Sequence, residues 1–152
     1  MNITATFDAA ALESSLAVNI NEVVPRVQAA MAEQTRDIVM SNFGATGVDR
    51  PLPWAPLSNH APYFYAQKVG RPFATLYVTG AMAGAVRTTN DPEASSVSLS
   101  DADCSYASKH HYGTDGMPIR RVFPINLDGS ITQYTMDAVI SAAAQELQEA
   151  LS

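Results

Sequence analysis

Between residues 44 and 75 the chain carries Pro51, Pro53, Pro56, Pro62 and Pro72, spaced so that no long regular element fits among them. Proline fixes φ at about −65°, lacks an N–H and crowds the preceding turn. A helix interior or a central strand is therefore excluded through most of this stretch. Gly44, Gly47 and Gly70 loosen it further. Trp54, Tyr63, Phe64, Tyr65 and Phe73 nevertheless stand among these prolines. A solvated linker would leave that much aromatic surface in water at a cost. The segment reads as an extended loop at about 44–75 with adhesive character, and loops of this length in compact domains are mostly functional. The rest of the fold has to be built on either side of it.

On the N-terminal side, Ile3, Ala5 and Phe7 alternate with polar residues, which predicts a short half-buried strand. Asp8 is a helix N-cap before Ala9, Ala10, Ala11 and Leu12. Leu12, Leu16 and Ile20 are four apart, and Val23, Val27, Met31, Gln34 and Ile38 extend the stripe. Pro25 lies inside it, so either a new helix starts near Asn21 or a longer helix kinks there. The helix should end near Phe43, with Gly44 as its C-terminal cap.

On the C-terminal side, Thr79 to Val86 reads as a short helix of small residues with Thr79 as N-cap. Val86 to Thr89 and Ser96 to Ser100 read as strands around an Asn90-Asp91-Pro92 turn, together a hairpin. Tyr106 to Tyr112 is a helical turn stopped at Gly113, and Thr114-Asp115-Gly116 is a turn. Ile119 to Pro124 reads as a strand, and Asp128-Gly129-Ser130 precedes a final helix. There Ile131, Thr135, Ala138, Val139, Ala142, Leu147 and Leu151 approximate one face. Clustered strands without βαβ alternation predict an α+β fold. It is a small, mainly antiparallel sheet packed against a long N-terminal helix and a C-terminal helix, and residues 1–152 form a single domain carrying the Pro/aromatic loop.

Composition narrows the function. Hydrophobic residues are 47% of the 152, enough for a real core, and charged residues only 16%. A typical domain carries about 25% charged residues, and a sparsely charged exterior suits a protein covered by partners. With 9 Lys+Arg against 15 Asp+Glu the net charge is −6, which argues against a dedicated nucleic-acid binder. The lone Cys104 excludes an internal disulfide framework and a multi-Cys zinc site. No apolar run approaches a membrane span, and the first residues lack the basic and apolar regions of a signal peptide.

The candidates for chemistry are weak. His110-His111, with Cys104, Asp101 and Asp103, is the densest cluster of potential ligands. Adjacent histidines on a helix point about 100° apart, however, so both rarely reach one ion. Ser58-Asn59-His60 puts a hydroxyl near an imidazole without a nucleophile elbow. Gly80 and Gly84 are too few for a phosphate cradle. Arg120-Arg121 is a small basic spot; on a strand the two side chains face opposite sides, and an ion pair at a subunit boundary is the expected use. The expectation is a non-enzyme, with no catalytic, cofactor-binding or metal residues.

Trp54-Ala55-Pro56-Leu57-Ser58 resembles the W-x-P-L-S signature of the phage virion morphogenesis family, which includes tail-completion proteins. Three further segments follow in that family's order. Leu76 to Met82 resembles its L-x-x-T-G-x-L segment, and Tyr106 to Gly113 its Y-A-x-x-H-Q-F-G segment. Met117 to Pro124 resembles its I-P-A-R-P-F-L segment. The resemblance spans about residues 50 to 125. His111-Tyr112 stands where the family has Gln-Phe, Val122 replaces its second proline, and residues 59 to 75 lack its Thr- and Lys-rich spacing.

The resemblance implies a structural virion protein that completes the tail and joins it to the head connector as part of a neck ring. It implies a closed homo-oligomer of roughly six subunits, built by heterologous contacts. The implied partners are the head connector or adaptor and the tail tube or tail terminator; passing DNA is met only non-specifically, and no membrane is involved. The place implied is the virion neck or tail, after assembly in the host cytoplasm. Trp54, Leu57, Tyr63, Phe64 and Tyr65 are the interface candidates, with Arg120 and Arg121 as charge anchors. The alternatives are a tail terminator ring protein and, from another class, a small metal-dependent hydrolase using His60, His110 and His111.

Overall fold

The computed structural model describes residues 20–44, 52, 54, 80–100 and 102–151. Helix α1 spans Ile20–Gly44 with Pro25 inside it, so the carbonyl of Asn21 lacks its usual helical donor. The chain is helical on both sides of that proline. Ile20, Val23, Val27, Ala32, Ile38, Val39 and Phe43 are its buried apolar residues. Met31, expected on this face, is half-buried, and Ala32 takes the inner position. The reason is geometric: a strict four-residue spacing drifts about 40° per step around a helix of 3.6 residues per turn.

Helix α2 spans Ala81–Gly84, strand β1 Val86–Asn90, strand β2 Ser95–Leu99, helix α3 Ala107–Tyr112 and helix α4 Gln133–Ala150. The architecture is α+β, a two-stranded antiparallel sheet packed with the long helix α1 and the C-terminal helix α4. The residues fall into two compact units. One holds α1 as far as Arg36, Thr88–Ser98 and α4; the other holds the rest of α1, α2 and Leu99–Thr132.

In the first unit the hairpin turns through Pro92 and Glu93, and the Asp91 and Ala94 amides each donate to the other's carbonyl, at 3.0 and 3.2 Å. That register sets Thr88 opposite Val97. Both are half-buried, whereas Thr89, Ser96 and Ser98 are exposed, as a strand's period of two requires. Gln28 of α1 donates to the Glu93 carbonyl at 3.3 Å, and Arg26 pairs with Glu146 of α4 at 2.5 Å. On α4, Thr135 is buried and Ala138, Val139, Ala142 and Leu147 are half-buried along one face. Tyr134, Met136 and Ile140 are exposed at 57, 39 and 57%.

In the second unit the expected helix over Thr79 to Val86 is shorter than predicted. Gly80, in the left-handed region at φ 79°, occupies the N-cap position of α2, and Val86 is already the first residue of β1. Thr79 lies outside the described residues. Helix α3 stops at Gly113, and Thr114 and Met117 close the next turn with reciprocal amide bonds of 3.2 and 2.8 Å. The strand expected over Ile119 to Pro124 does not form. Pro118 and Pro124 supply no N–H there. The Arg120 amide donates to the His110 carbonyl at 2.8 Å, and the Phe123 amide donates to the His111 side chain at 3.4 Å. The segment is thus held by the end of α3 instead of by a neighbouring strand. A tight loop follows, in which Asn126 and Ser130 are joined through backbone and side chains, before α4 begins. The strand and N-cap expected over residues 3–8, and nearly all of the 44–75 loop, lie outside the described residues.

Candidate functional site

The last turn of α1 places Asn42 and Phe43 in the interior of the second unit, exposed by 0 and 1%. A polar side chain so deep must have its hydrogen-bonding groups met. The Asn42 Oδ1 accepts the Leu52 amide at 2.8 Å, and its Nδ2 donates to the Arg121 carbonyl at 3.4 Å. The same carbonyl accepts from Trp54 Nε1 at 2.6 Å. The Trp54 ring meets Phe43 edge-on, with centroids 5.7 Å apart and planes at 77°. Three stretches distant in sequence are therefore tied at one point: the end of α1, the first residues of the proline-rich segment, and the Arg120-Arg121 segment.

The two arginines are divided in fate. Arg120 is only 5% exposed. Arg121 is half-buried, and its guanidinium donates to Asn126 Oδ1 at 3.1 Å. Arg121 is thus the more exposed of the two in the single chain. Arg121 also acts on Asp128, whose carboxyl is held below its usual range first by hydrogen bonds from Ser130 and more weakly by this guanidinium.

His111, 7% exposed, offers Nδ1 to the Phe123 amide, and its ring lies edge-on to Tyr112 at 4.7 Å between centroids. His110 is half-buried against the edge of Tyr106 at 6.0 Å, and its Nδ1 is buried without a hydrogen-bond partner among the described residues. Burial pushes both imidazoles below their ordinary range, and a guanidinium adds to it: Arg120 for His110, Arg121 for His111. Both rings are thereby favoured in the neutral form. Cys104 is buried at 3%, and a hydrogen bond with it, ahead of burial, raises the Tyr106 phenol.

Among the described residues, no three His, Cys, Asp or Glu side chains come together as a metal site would require. Cys104 is buried and engaged with Tyr106, Asp103 is exposed, and Asp101, Ser58 and His60 lie outside the described residues. Of the interface candidates, Trp54 meets Arg121 at its main-chain carbonyl and Arg120 is buried beside it in sequence; Leu57, Tyr63, Phe64 and Tyr65 lie outside the described residues. Sequence reasoning missed Asn42, Phe123 and Asn126. Only Asn42 left a signal, since it stands on the face that carries Ile38 and Val39, where a polar residue demands a partner. No described helix is long and apolar enough to cross a membrane. The assembled groups hold backbone in place: one carbonyl with two donors, one neutral imidazole as acceptor, one guanidinium on an amide oxygen.

Comparison with protein-family models, with curated proteins and with solved structures found no match.

Proposed function

We propose that this chain is a structural phage virion protein that completes the tail and joins it to the head connector as part of a neck ring. The observation that carries the reading is the resemblance of four segments, in order, to the virion morphogenesis family, from Trp54 to Pro124. Three of those segments meet in one unit. Trp54 bonds to Arg121, and the His110-His111 stretch bonds to Arg120 and Phe123. These bonds fix Leu52 and Trp54 in place, which an assembly arm would need as its base. The exposed apolar side chains agree with a protein that buries more surface against partners: Tyr112 at 58% and Leu127 at 55% in one unit, Tyr134 and Ile140 at 57% in the other. The low charged fraction of 16% points the same way.

The deciding experiment is cryo-electron microscopy of virions carrying a tagged copy of the chain. The expected result is a closed ring of tag density between head connector and tail. Isolated single copies, or a ring seated on the tail tube away from the connector, would sink the reading.

A further inference from the structure

We propose that His110 and His111 form an acid-sensitive latch: at neutral pH they hold the Arg120–Phe123 segment against α3, and on protonation they release it together with the Trp54 anchor. This goes beyond the neck-protein reading and does not depend on it.

The latch rests on hydrogen-bond direction. His111 Nδ1 is the acceptor of the Phe123 amide. A protonated imidazole carries N–H on both nitrogens and accepts nothing, so that bond becomes two donors facing each other. The ring is 7% exposed, which leaves little water to take over. At His110 the consequence is similar. Its buried Nδ1 has no partner among the described residues, so a proton there adds a charged donor with no acceptor.

The surroundings amplify the effect. The segment packed on α3 brings Arg120 and Arg121, both cationic, to act on His110 and His111. On their own helix the next charged residue is Lys109, also cationic. Tyr106, edge-on to His110, has its phenol held above the ordinary range and brings no negative charge in acid, and Cys104 lies beside it. The nearest acidic residue along the chain, Asp115, is exposed, and Asp128 on the loop beyond Arg121 is engaged by Ser130. Among the described residues no carboxylate pairs with either ring. Protonation therefore adds positive charge to a place already positive, and burial and charge together hold both rings neutral until the pH falls below their ordinary range.

Release should reach Trp54, because the carbonyl it holds belongs to Arg121, within the latched segment. Trp54 is the chain's one tryptophan, so its emission reports the event directly. The test is fluorescence of the full chain from pH 7.5 to 4.5 at constant salt, with far-UV circular dichroism alongside. His111→Asn keeps a side-chain acceptor and cannot be protonated; His110→Asn and the double variant complete the set. The expected result is a red shift on acidification in the wild type, with helix content kept. It should be reduced by at least half in His111→Asn and abolished in the double variant. A flat wild-type emission overturns the latch, as does an undiminished shift in the double variant or a shift that coincides with loss of helix. Should the variants fail to fold, histidine proton NMR of the wild type decides. Two imidazoles titrating below about 6.5 in step with the Trp54 shift uphold it, and titration at or above that value overturns it.

Discussion

The indole N–H of Trp54 donates to the main-chain carbonyl of Arg121, 2.6 Å away and 67 positions along the chain. An interface candidate is thus also a structural anchor, and the two roles can be separated by substitution. Trp54→Phe retains a ring against Phe43 but loses the N–H donor and part of the indole's volume, which should cost the unassembled chain about 1–2 kcal/mol. Trp54→Ala removes the ring contact as well and should cost about 3 kcal/mol. Thermal melts of the purified chain should rank wild type, Phe and Ala in that order. Indistinguishable melts would mean that Trp54 carries no load inside the folded chain. A defect in particle assembly counts as an interface effect only if it exceeds that of an equally destabilised variant.

Gly113 offers a test of how the latch segment is positioned. It ends α3 at φ 76°, and a Cβ there would lie 2.9 Å from Ile119 Cγ1 and 3.2 Å from the Met117 carbonyl. Gly116 has a similar φ of 80° but nothing within 4 Å of an added Cβ. Gly116→Ala should therefore cost only the left-handed penalty, about 1 kcal/mol. Gly113→Ala meets the Ile119 side chain and the Met117 carbonyl, at φ 76° and ψ 168° where a side chain is rarely tolerated, and should cost about twice that or more. Chemical denaturation midpoints compare the two. Equal losses would mean that Ile119 moves aside freely.

The hairpin was legible because its signals are local. β-branched residues flank Asp91-Pro92, and both strands form within a residue of the expected limits. The stop of α3 at Gly113 and the turn at Thr114 to Met117 were legible for the same reason. The Ile119–Pro124 segment misled because its residues favour a strand, whereas its backbone partners come from elsewhere. They are the His110 carbonyl, the His111 ring, the Trp54 indole and the Asn42 amide. No pattern within six residues encodes partners from α1 and α3. The burial of Arg120 was hidden likewise: only tertiary context separates it from Arg121.

Asp128 shows a pH effect of the opposite sign to the histidines. Its carboxylate accepts from the Ser130 amide at 2.9 Å and from the Ser130 hydroxyl at 2.6 Å. These bonds favour the charged form and hold its folded value below the unfolded one. Their contribution is present above the ordinary aspartate range and is lost as pH falls through the lowered folded value. Ser130→Ala removes the hydroxyl donor, so the Asp128 titration should move up toward the ordinary value while the amide bond keeps part of the shift. Carboxyl-carbon NMR reads this directly. An unchanged Asp128 titration would assign the shift to groups other than the serine hydroxyl.

Binding of the chain to DNA is expected to be weak. The net charge of −6 repels phosphate at long range. The basic spot at residues 120 and 121 is smaller than it looks in sequence, because Arg120 is 5% exposed and Arg121 is engaged with Asn126. One half-buried guanidinium neutralises few phosphates, so the salt slope of any binding should be shallow. Beyond a Debye length of about 8 Å at physiological salt, only contact-range charge matters. A salt titration of binding to random-sequence duplex should therefore show affinity no tighter than ordinary non-specific binding, and Arg121→Ala should change it little. Tight binding with a steep slope would require a basic face outside the described residues, where Arg50, Lys68 and Arg71 stand in the proline-rich region. On the neck-protein reading proposed above, the protein would then grip the duplex instead of letting it slide.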